Sequence, residues 1–176
     1  MNLVIKQEEI NEREIVEDVV RKAFLNAEFS DKSEHILVKK LRESKEFISE
    51  LSLVAKVEDS VIGHILYTKI HIYEGDKRYE SLALAPLSVL PEYQNMGVGS
   101  KLIKSSIEIA KRLGYTSVVV LGHEHYYSKF GFKPSYLFDI KAPFDVPKEA
   151  YMVLELEEGA LKNISGVVEY SKAFFE

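Results

Sequence analysis

The residues with the clearest capacity for chemistry lie in a glycine-containing segment near the middle of the chain. Gly97 and Gly99 are spaced by one residue, where an apolar run gives way to an amphipathic helical pattern. Glycine permits a positive φ and lets a ligand approach the backbone closely. The first N–H groups of a helix have no internal partners, so such a segment can bind a phosphate or a diphosphate without a cationic side chain. A tight strand–helix turn with glycines for steric reasons alone explains the same spacing.

Two common nucleotide-binding patterns fail at this glycine segment. The dinucleotide fingerprint requires G-x-G-x-x-G, and Leu102 occupies the place of its third glycine. The phosphate-loop pattern G-x-x-x-x-G-K-[ST] is absent from the sequence. Lys101 and Lys104 add positive charge nearby. The sequence therefore favours an anion-binding turn of another kind.

Composition excludes several classes of function. The chain has 176 residues, the length of about one domain, and it contains no cysteine, which removes disulfides, cysteine nucleophiles and thiolate zinc sites. Its 23 Lys and Arg residues against 28 Asp and Glu residues give a net charge of −5, which disfavours binding to nucleic acid. No apolar run is long enough to span a membrane, and the N-terminus lacks a signal-peptide pattern. We therefore expect a cytoplasmic protein that contacts neither nucleic acid nor membrane.

Hydrophobic periodicity predicts the elements that position the glycine segment. Helices are predicted from residue 10, over 33–41 with Ile36, Leu37 and Leu41 directed inward, over 99–113, and as one or two turns over 125–130. Strands are predicted over 3–5, 52–57, 61–67, 82–90, 117–121, 136–141 and 151–157. Hairpin-linked strands followed by a strand–helix–strand crossover predict a mixed α/β fold with helices on both faces of a sheet.

Pro86 is the exception within the predicted central strand over 82–90. Proline cannot donate a ladder hydrogen bond, so it predicts a bulge or a splay between neighbouring strands at this point. No linker or repeat interrupts the sequence. We expect one domain over residues 1–176, with a core at about 3–156 and a C-terminal extension at 157–176.

Two motifs make the chain resemble the GNAT superfamily of acetyl-CoA-dependent N-acetyltransferases. Residues 94–99 carry Q-x-x-G-x-G after a V-x-P at 89–91, similar to the family's Q/R-x-x-G-x-G/A motif. Residues 127–132, YSKFGF, are similar to the family's Y-x-x-x-G-F segment. The segments APLSV at 85–89, VLG at 120–122 and GVVEY at 166–170 further resemble the YhbS-like branch. The resemblance thus covers nearly the whole chain.

The resemblance implies a mostly antiparallel, splayed mixed sheet flanked by helices, with acetyl-CoA as cosubstrate in the splay. The pantetheine arm would pair with the backbone of Leu87, Ser88 and Val89. The diphosphate would lie against Gln94, Asn95, Met96, Gly97, Val98, Gly99 and Ser100. An N–H at or near Val89 would bind the oxyanion, and Tyr127 would protonate the leaving thiolate. A purely core role for Tyr127, or its confusion with Tyr126, is the alternative.

The general base and the acceptor are not identified by the sequence. Glu80 and Glu92 are candidate bases, although either carboxylate can be simply solvated. His123-Glu124-His125 has metal-ligand spacing but lacks a third ligand, so we expect surface histidines and no metal. The acidic residues of the first helices form either an acidic rim for a cationic acceptor or a solvated face: Glu12, Glu14, Glu17, Asp18 and Glu28.

The resemblance implies transfer of acetyl from acetyl-CoA to a primary amine of a small molecule or protein, by direct attack in a ternary complex. Two alternatives remain open: a non-catalytic module that binds or senses acyl-CoA, and an acyltransferase with another acyl donor or an O-acceptor. Phe174 and Phe175 either pack internally or contribute to a homodimer.

Overall fold

The computed structural model describes residues 1–176 and contains a nine-stranded sheet. The strands are β1 (Leu3–Gln7), β2 (Phe47–Val57), β3 (Ser60–Glu74), β4 (Lys77–Val89), β5 (Ser117–Leu121), β6 (Lys133–Pro134), β7 (Ile140–Lys141), β8 (Tyr151–Glu155) and β9 (Gly166–Glu169). The helices are α1 (Arg13–Phe24), α2 (Glu34–Arg42), α3 (Val98–Arg112) and a single turn, α4 (Glu124–Tyr127). None of them has both the length and the apolar character needed to cross a bilayer.

The sheet is mixed and mostly antiparallel, as predicted. Its main path runs β1-β2-β3-β4-β5-β8-β6, and only the β4–β5 and β7–β9 pairs are parallel. Successive residues of a strand point to opposite faces: Leu53 on β2 packs in the cluster that contains α3, and Val54 packs in the cluster that contains α1 and α2. Helices therefore cover both faces of the sheet, which confirms the predicted layers.

β4 and β5 separate after a short contact. They pair only at Leu82 with Val118 and at Ala83 with Val119, and β4 beyond this point pairs with β3 alone. A register shift on β3 between residues 65 and 67 lies opposite the part of β4 that contains Pro86. β5 continues, paired with β8, to Leu121. The splay predicted at Pro86 is thus present as a gap between residues 84–89 of β4 and the end of β5.

Several details differ from the sequence-based expectations, among them the strands β6 and β9, which were not predicted. Ile36, predicted to point inward, is 47% exposed. The buried residues of α2 are Val38 and Leu41, which lie three residues apart on the same side of the helix. Residues 135–138 form a 3₁₀ turn and only Ile140 and Lys141 pair as a strand, because Asp139 adopts a left-handed conformation that ends the turn. β2 and β3 are also longer than predicted, which extends the sheet beyond the hairpin.

The C-terminal region joins the sheet at the far half of β3. β2 pairs with the first half of β3, and β9 pairs with its second half at His71, Ile72 and Tyr73. A 3₁₀ turn, Lys172–Phe174, follows β9. The chain after β9 thereby lies beside the gap between β4 and β5, where it contributes to the cavities described below. The division into a core at 3–156 and an extension stays a prediction.

Candidate active site

The glycine segment begins α3 with unpaired backbone donors. Gly97 is the residue that precedes the helix, and its φ of 84° is a left-handed conformation that favours glycine. The backbone N–H of Lys101 donates the first helical hydrogen bond, at 3.1 Å, to the Gly97 carbonyl. The N–H groups of residues 98–100 therefore have no partner within the helix and lie at the positive end of its dipole. This geometry suits the oxygens of a phosphate group.

An open cavity of about 520 Å³ lies beside these N–H groups, and we call it the glycine cavity. Its lining residues are Leu87, Val89, Tyr93, Gln94, Asn95, Gly97, Val98, Gly99, Ser100, Tyr126 and Lys129. Most of the residues predicted to bind the cosubstrate are brought together here. The exceptions are Ser88, whose side chain is buried, and Met96, which is 53% exposed and does not line the cavity.

Two side chains shape the edge of the glycine cavity. Gln94 donates from Nε2 to the Val89 carbonyl at 3.0 Å, which ties the loop to the end of β4. The Nζ atom of Lys129 lies 4.8 Å from the ring centroid of Tyr126 and supplies a cation to the cavity lining. Sequence analysis missed Lys129, although it lies within the motif at 127–132. The sequence analysis named Lys101 as a nearby cation, but its Nζ atom donates to the Leu3 carbonyl at 3.0 Å.

The backbone of Val89 is free to interact across the gap. The Leu90 N–H donates to the Ile62 carbonyl at 2.9 Å, toward β3. Backbone groups of successive strand residues alternate between the two edges, so the N–H and carbonyl of Val89 are directed away from β3. The Val89 carbonyl accordingly accepts from Gln94 rather than from a strand. The Val89 N–H is thus a candidate donor to a ligand in the gap.

Tyr126 and Tyr127 occupy different environments. Tyr126 lines the glycine cavity, and a Cβ atom on Gly99 would lie 2.6 Å from its hydroxyl oxygen. Tyr127 is buried, and its ring covers Gly122 so closely that a Cβ atom there would overlap it. Burial, reinforced by Tyr126, raises the pKa of Tyr127. The Tyr127 phenol is therefore protonated at neutral pH and able to donate a proton, but its place near sulfur stays a prediction.

The candidate general bases lie away from the cavity. Glu80 is half exposed at the start of β4, with a carboxylate oxygen 3.8 Å from Lys69 Nζ. Glu92 is exposed in the turn that follows β4, and neither carboxylate lines the glycine cavity. His123 and His125 are exposed. No three His, Asp or Glu side chains are grouped so that they could hold a metal ion.

Most of the acidic residues in α1 and directly before it are paired within the chain. Glu12 accepts from Lys56 at 2.9 Å, and Glu17 accepts from Arg42 at 2.7 Å. Asp18 bonds both Arg21 and Lys22. These pairs neutralise three of the five carboxylates in the proposed acidic rim. The structure therefore gives that rim little charge with which to attract a cationic acceptor.

A second cavity, of about 250 Å³, lies at the apex of the gap between β4 and β5. We call it the aromatic neck, because its lining is entirely hydrophobic: Ala83, Leu84, Ala85, Val119, Leu121, Phe144, Tyr170, Phe174 and Phe175. The glycine cavity and the aromatic neck lie at opposite ends of residues 83–89 of β4. Sequence analysis did not find the neck, since its residues come from four separate parts of the chain.

A pair of tyrosines supports the wall of the aromatic neck. The hydroxyl oxygens of Tyr151 and Tyr170 are 2.7 Å apart. Burial raises the pKa of Tyr170 to about 12, and burial also raises the pKa of Tyr151. Both phenols therefore stay protonated at neutral pH, and the neck carries no charge.

The sequence matches proteins of one family over most of its length. The acetyltransferase (GNAT) family profile matches residues 16–132. The chain is 40% identical over 123 residues to the uncharacterized N-acetyltransferase YjhQ of Escherichia coli K12, covering 69% of this chain and 67% of YjhQ. It is 31% identical over 153 residues to the uncharacterized N-acetyltransferase YhbS of the same strain, covering 86% of this chain and 89% of YhbS.

Two solved structures share the whole fold. The crystal structure of YhbS from Escherichia coli in complex with CoA has a TM-score of 0.88 at 26% identity, covering 99% of this chain and 92% of that one. A GNAT family acetyltransferase from Brucella melitensis in complex with acetyl-CoA has a TM-score of 0.81 at 29% identity, covering 98% of each chain. Both of these structures, which share the fold of this chain, are complexes, one with CoA and the other with acetyl-CoA.

Proposed function

The chain belongs to the GNAT family of acetyltransferases, and from this we propose that it transfers the acetyl group of acetyl-CoA to a primary amine of a small molecule or protein. The observation that carries the proposal is the arrangement of three features along one strand. The glycine cavity, the Val89 backbone directed into the gap and the aromatic neck follow one another along β4. In this proposal, the glycine cavity binds the polar end of acetyl-CoA, and the acceptor amine meets the thioester in the gap along β4.

The residues of the glycine cavity fit the polar end of acetyl-CoA. In this proposal the N–H groups of Val98, Gly99 and Ser100 bind the diphosphate, and Lys129 adds a cation at the edge. Gln94, Asn95, Met96 and Gly97 shape the loop, and the backbone of Leu87, Ser88 and Val89 aligns the pantetheine arm. The open space around Gly97, where a Cβ atom would have no neighbour within 4 Å, leaves room for the ligand.

The reaction needs one bond formed, one broken and one proton moved. The amine nitrogen attacks the thioester carbonyl carbon, the C–N bond forms and the C–S bond breaks. A β4 backbone N–H directed into the gap, at or near Val89, would stabilise the negative charge that develops on the carbonyl oxygen. The attacking nitrogen loses a proton to water, the Tyr127 phenol supplies one to the leaving thiolate, and the phenolate regains a proton from water. In net, one proton moves from nitrogen to sulfur.

The acceptor amine must be neutral before it attacks. A free lysine amine has a pKa of about 10.4, so it is mostly charged at neutral pH. The neck contains no carboxylate, and an apolar environment disfavours the ammonium form and lowers the pKa of an amine. We therefore assign no side chain as general base, and Glu80 and Glu92 are solvated in this proposal.

A thermal-shift titration with acetyl-CoA tests the cosubstrate site, with NAD and ATP as controls. Ligand at 100 times its dissociation constant adds about 2.7 kcal/mol to stability, which is about 5–10 °C for a chain of this size. Release of free thiol in the presence of an amine panel then tests transfer. The absence of a shift at millimolar acetyl-CoA would refute the site. A shift with no thiol release above hydrolysis would favour the acyl-CoA-binding module.

The Tyr127→Phe variant tests the assignment of the acid. It removes the hydroxyl while keeping the buried ring, so we expect kcat to fall about 100-fold and the acetyl-CoA thermal shift to be unchanged. The Tyr126→Phe variant is the matched control and should keep most of its turnover. If Tyr126→Phe loses turnover while Tyr127→Phe keeps it, the two roles are exchanged.

A further inference from the structure

We infer that the aromatic neck is the acceptor subsite, and that the acceptor is a primary amine carried on an aromatic or similarly apolar body. This inference rests on the proposed function, because it assigns the second substrate of the same reaction. It goes further in naming the chemical class of that substrate and the residues that select it.

The neck lies at the end of the pantetheine segment that is farther from the glycine cavity. The neck contacts β4 at residues 83–85, and the segment aligned with the pantetheine arm is Leu87–Val89. Strand residues rise about 3.3 Å each, so Ala85 lies about 7 Å along the strand from Leu87 and about 13 Å from Val89. The glycine cavity anchors the polar tail at the other end of this segment. A group in the neck therefore lies at the thioester end of the cosubstrate.

The lining of the neck determines what it can hold. The Tyr170 ring centroid lies 5.7 Å from that of Phe144, 5.1 Å from that of Phe174 and 6.5 Å from that of Phe175. Phe175 is 65% exposed and Phe144 is 37% exposed, so the entrance presents ring surface to solvent. An aromatic or aliphatic body would cover these rings and gain from burial and ring-edge contacts. A polar body would lose its hydration without gaining a hydrogen bond.

The surface beyond the neck does not favour a polycation. A larger cavity of about 750 Å³ shares Tyr170 and Phe175 with the neck. Five of its lining residues are lysine or arginine and four are glutamate, so its charges nearly balance. On the other side of the tail, Phe29 (94% exposed) and Ile36 line a cavity that shares Phe174 and Phe175 with the neck. Selection therefore comes from the apolar body of the acceptor rather than from its charge.

Three commercially available amines separate these possibilities: 2-phenylethylamine, ethanolamine and spermidine. Their binding is measured by calorimetry on protein saturated with CoA, and their acetylation is measured with acetyl-CoA. We expect kcat/KM for 2-phenylethylamine to exceed that of ethanolamine about 30-fold or more, because an apolar pocket discriminates by tens to hundreds of fold. Spermidine should resemble ethanolamine.

Two surface variants localise the effect to the neck. Phe175→Ala removes an exposed ring, and it should lower kcat/KM and the affinity for 2-phenylethylamine about tenfold without changing the acetyl-CoA thermal shift. Leu137→Ala is the matched control, because Leu137 is similarly exposed, at 64%, and does not line the neck. It should leave both values unchanged.

The outcomes distinguish this inference from the proposed function. Binding of 2-phenylethylamine that weakens in Phe175→Ala, with no acetylation of any of the three amines, would support the neck as an amine-binding site and refute the transferase. Acetylation of ethanolamine or spermidine as fast as that of 2-phenylethylamine would support the transferase and overturn the subsite. Failure of 2-phenylethylamine to bind would also overturn it, and a preference for hexanoyl-CoA over acetyl-CoA would then identify the neck as an acyl-chain pocket.

Discussion

The glycine cavity and the aromatic neck lie at two ends of the same strand segment but are built in opposite ways. The glycine cavity uses backbone N–H groups from one continuous turn, residues 94–100. The neck uses side chains from β4, β5, a loop at Phe144 and the tail after β9. One end is polar and local in sequence, and the other is apolar and assembled from distant residues.

This difference in construction predicts which substitutions each cavity can tolerate. Backbone groups bind through their conformation, so the glycine cavity depends strongly on a few φ angles. Side chains bind through their shape and polarity, so the neck can change its ligand by substitution without a change of fold. The glycine cavity is therefore expected to be sensitive to backbone changes, and the aromatic neck to side-chain changes.

The largest effect should come from disturbing the backbone of the glycine cavity. Gly97→Val places a branched side chain at a φ of 84°, which costs about 1–2 kcal/mol in the left-handed region and displaces the N–H groups. We expect acetyl-CoA affinity to fall about 100-fold, measured by calorimetry.

Gly159→Val is the control for Gly97→Val. Gly159 has a φ of 79° and, like Gly97, has no atom within 4 Å of the position that a Cβ would occupy, yet it lies outside the cavity. It should lose similar stability and keep its acetyl-CoA affinity. Equal losses of acetyl-CoA affinity in both variants would refute a specific role of the glycine cavity in binding acetyl-CoA.

The local nature of the glycine cavity explains why it could be predicted from sequence. Its turn, the helix that follows and β5 are marked by glycine spacing and by apolar periodicity, and β5 has the predicted limits of 117–121. The neck could not be predicted, since Phe144, Tyr170 and Phe175 lie in irregular segments without periodicity. The inward position of Val38 was missed because Ile36 and Leu37 fit a helical stripe equally well.

A smaller effect should come from lowering the pH, which should reduce stability through a histidine located between the glycine cavity and the aromatic neck. His64 is fully buried on β3, in register with Ser88 of β4. Its Nε2 lies 2.9 Å from the Ser52 Oγ and 3.8 Å from a Glu8 oxygen, and Arg42 bonds the same carboxylate. Burial, reinforced by the charge of Arg42, lowers the pKa of His64 to about 3.

His64 is therefore protonated near pH 6.5 in the unfolded chain but only near pH 3 in the folded chain. The contribution of His64 to stability is complete above pH 6.5 and is lost as the pH falls, at about 1.4 kcal/mol for each unit. Urea unfolding should show a loss of about 2 kcal/mol between pH 6.5 and pH 5. His64→Gln should flatten this slope, and the exposed-residue variant His125→Gln should not. An equal slope in both variants would assign the acid sensitivity to other groups.

The smallest effect should come from the support of the neck. Tyr151→Phe removes the hydroxyl that bonds Tyr170, which should cost about 1 kcal/mol of stability. The Tyr170 ring then has more freedom, so kcat/KM for 2-phenylethylamine should fall about two- to threefold while acetyl-CoA affinity is kept. Tyr136→Phe, at a residue that is 47% exposed, is the control. A change of acetyl-CoA affinity in Tyr151→Phe would show that the two ends are coupled.

The pairing of β9 with the far half of β3 has a consequence for how the aromatic neck can vary among homologous chains. Three residue pairs attach β9 to β3, and Tyr170, Phe174 and Phe175 follow within six residues of its end. Most of the aromatic residues of the neck therefore lie in one short segment, separate in the chain from the glycine segment. In the proposed function, exchange of this segment between homologues would change the acceptor and leave the cosubstrate site intact.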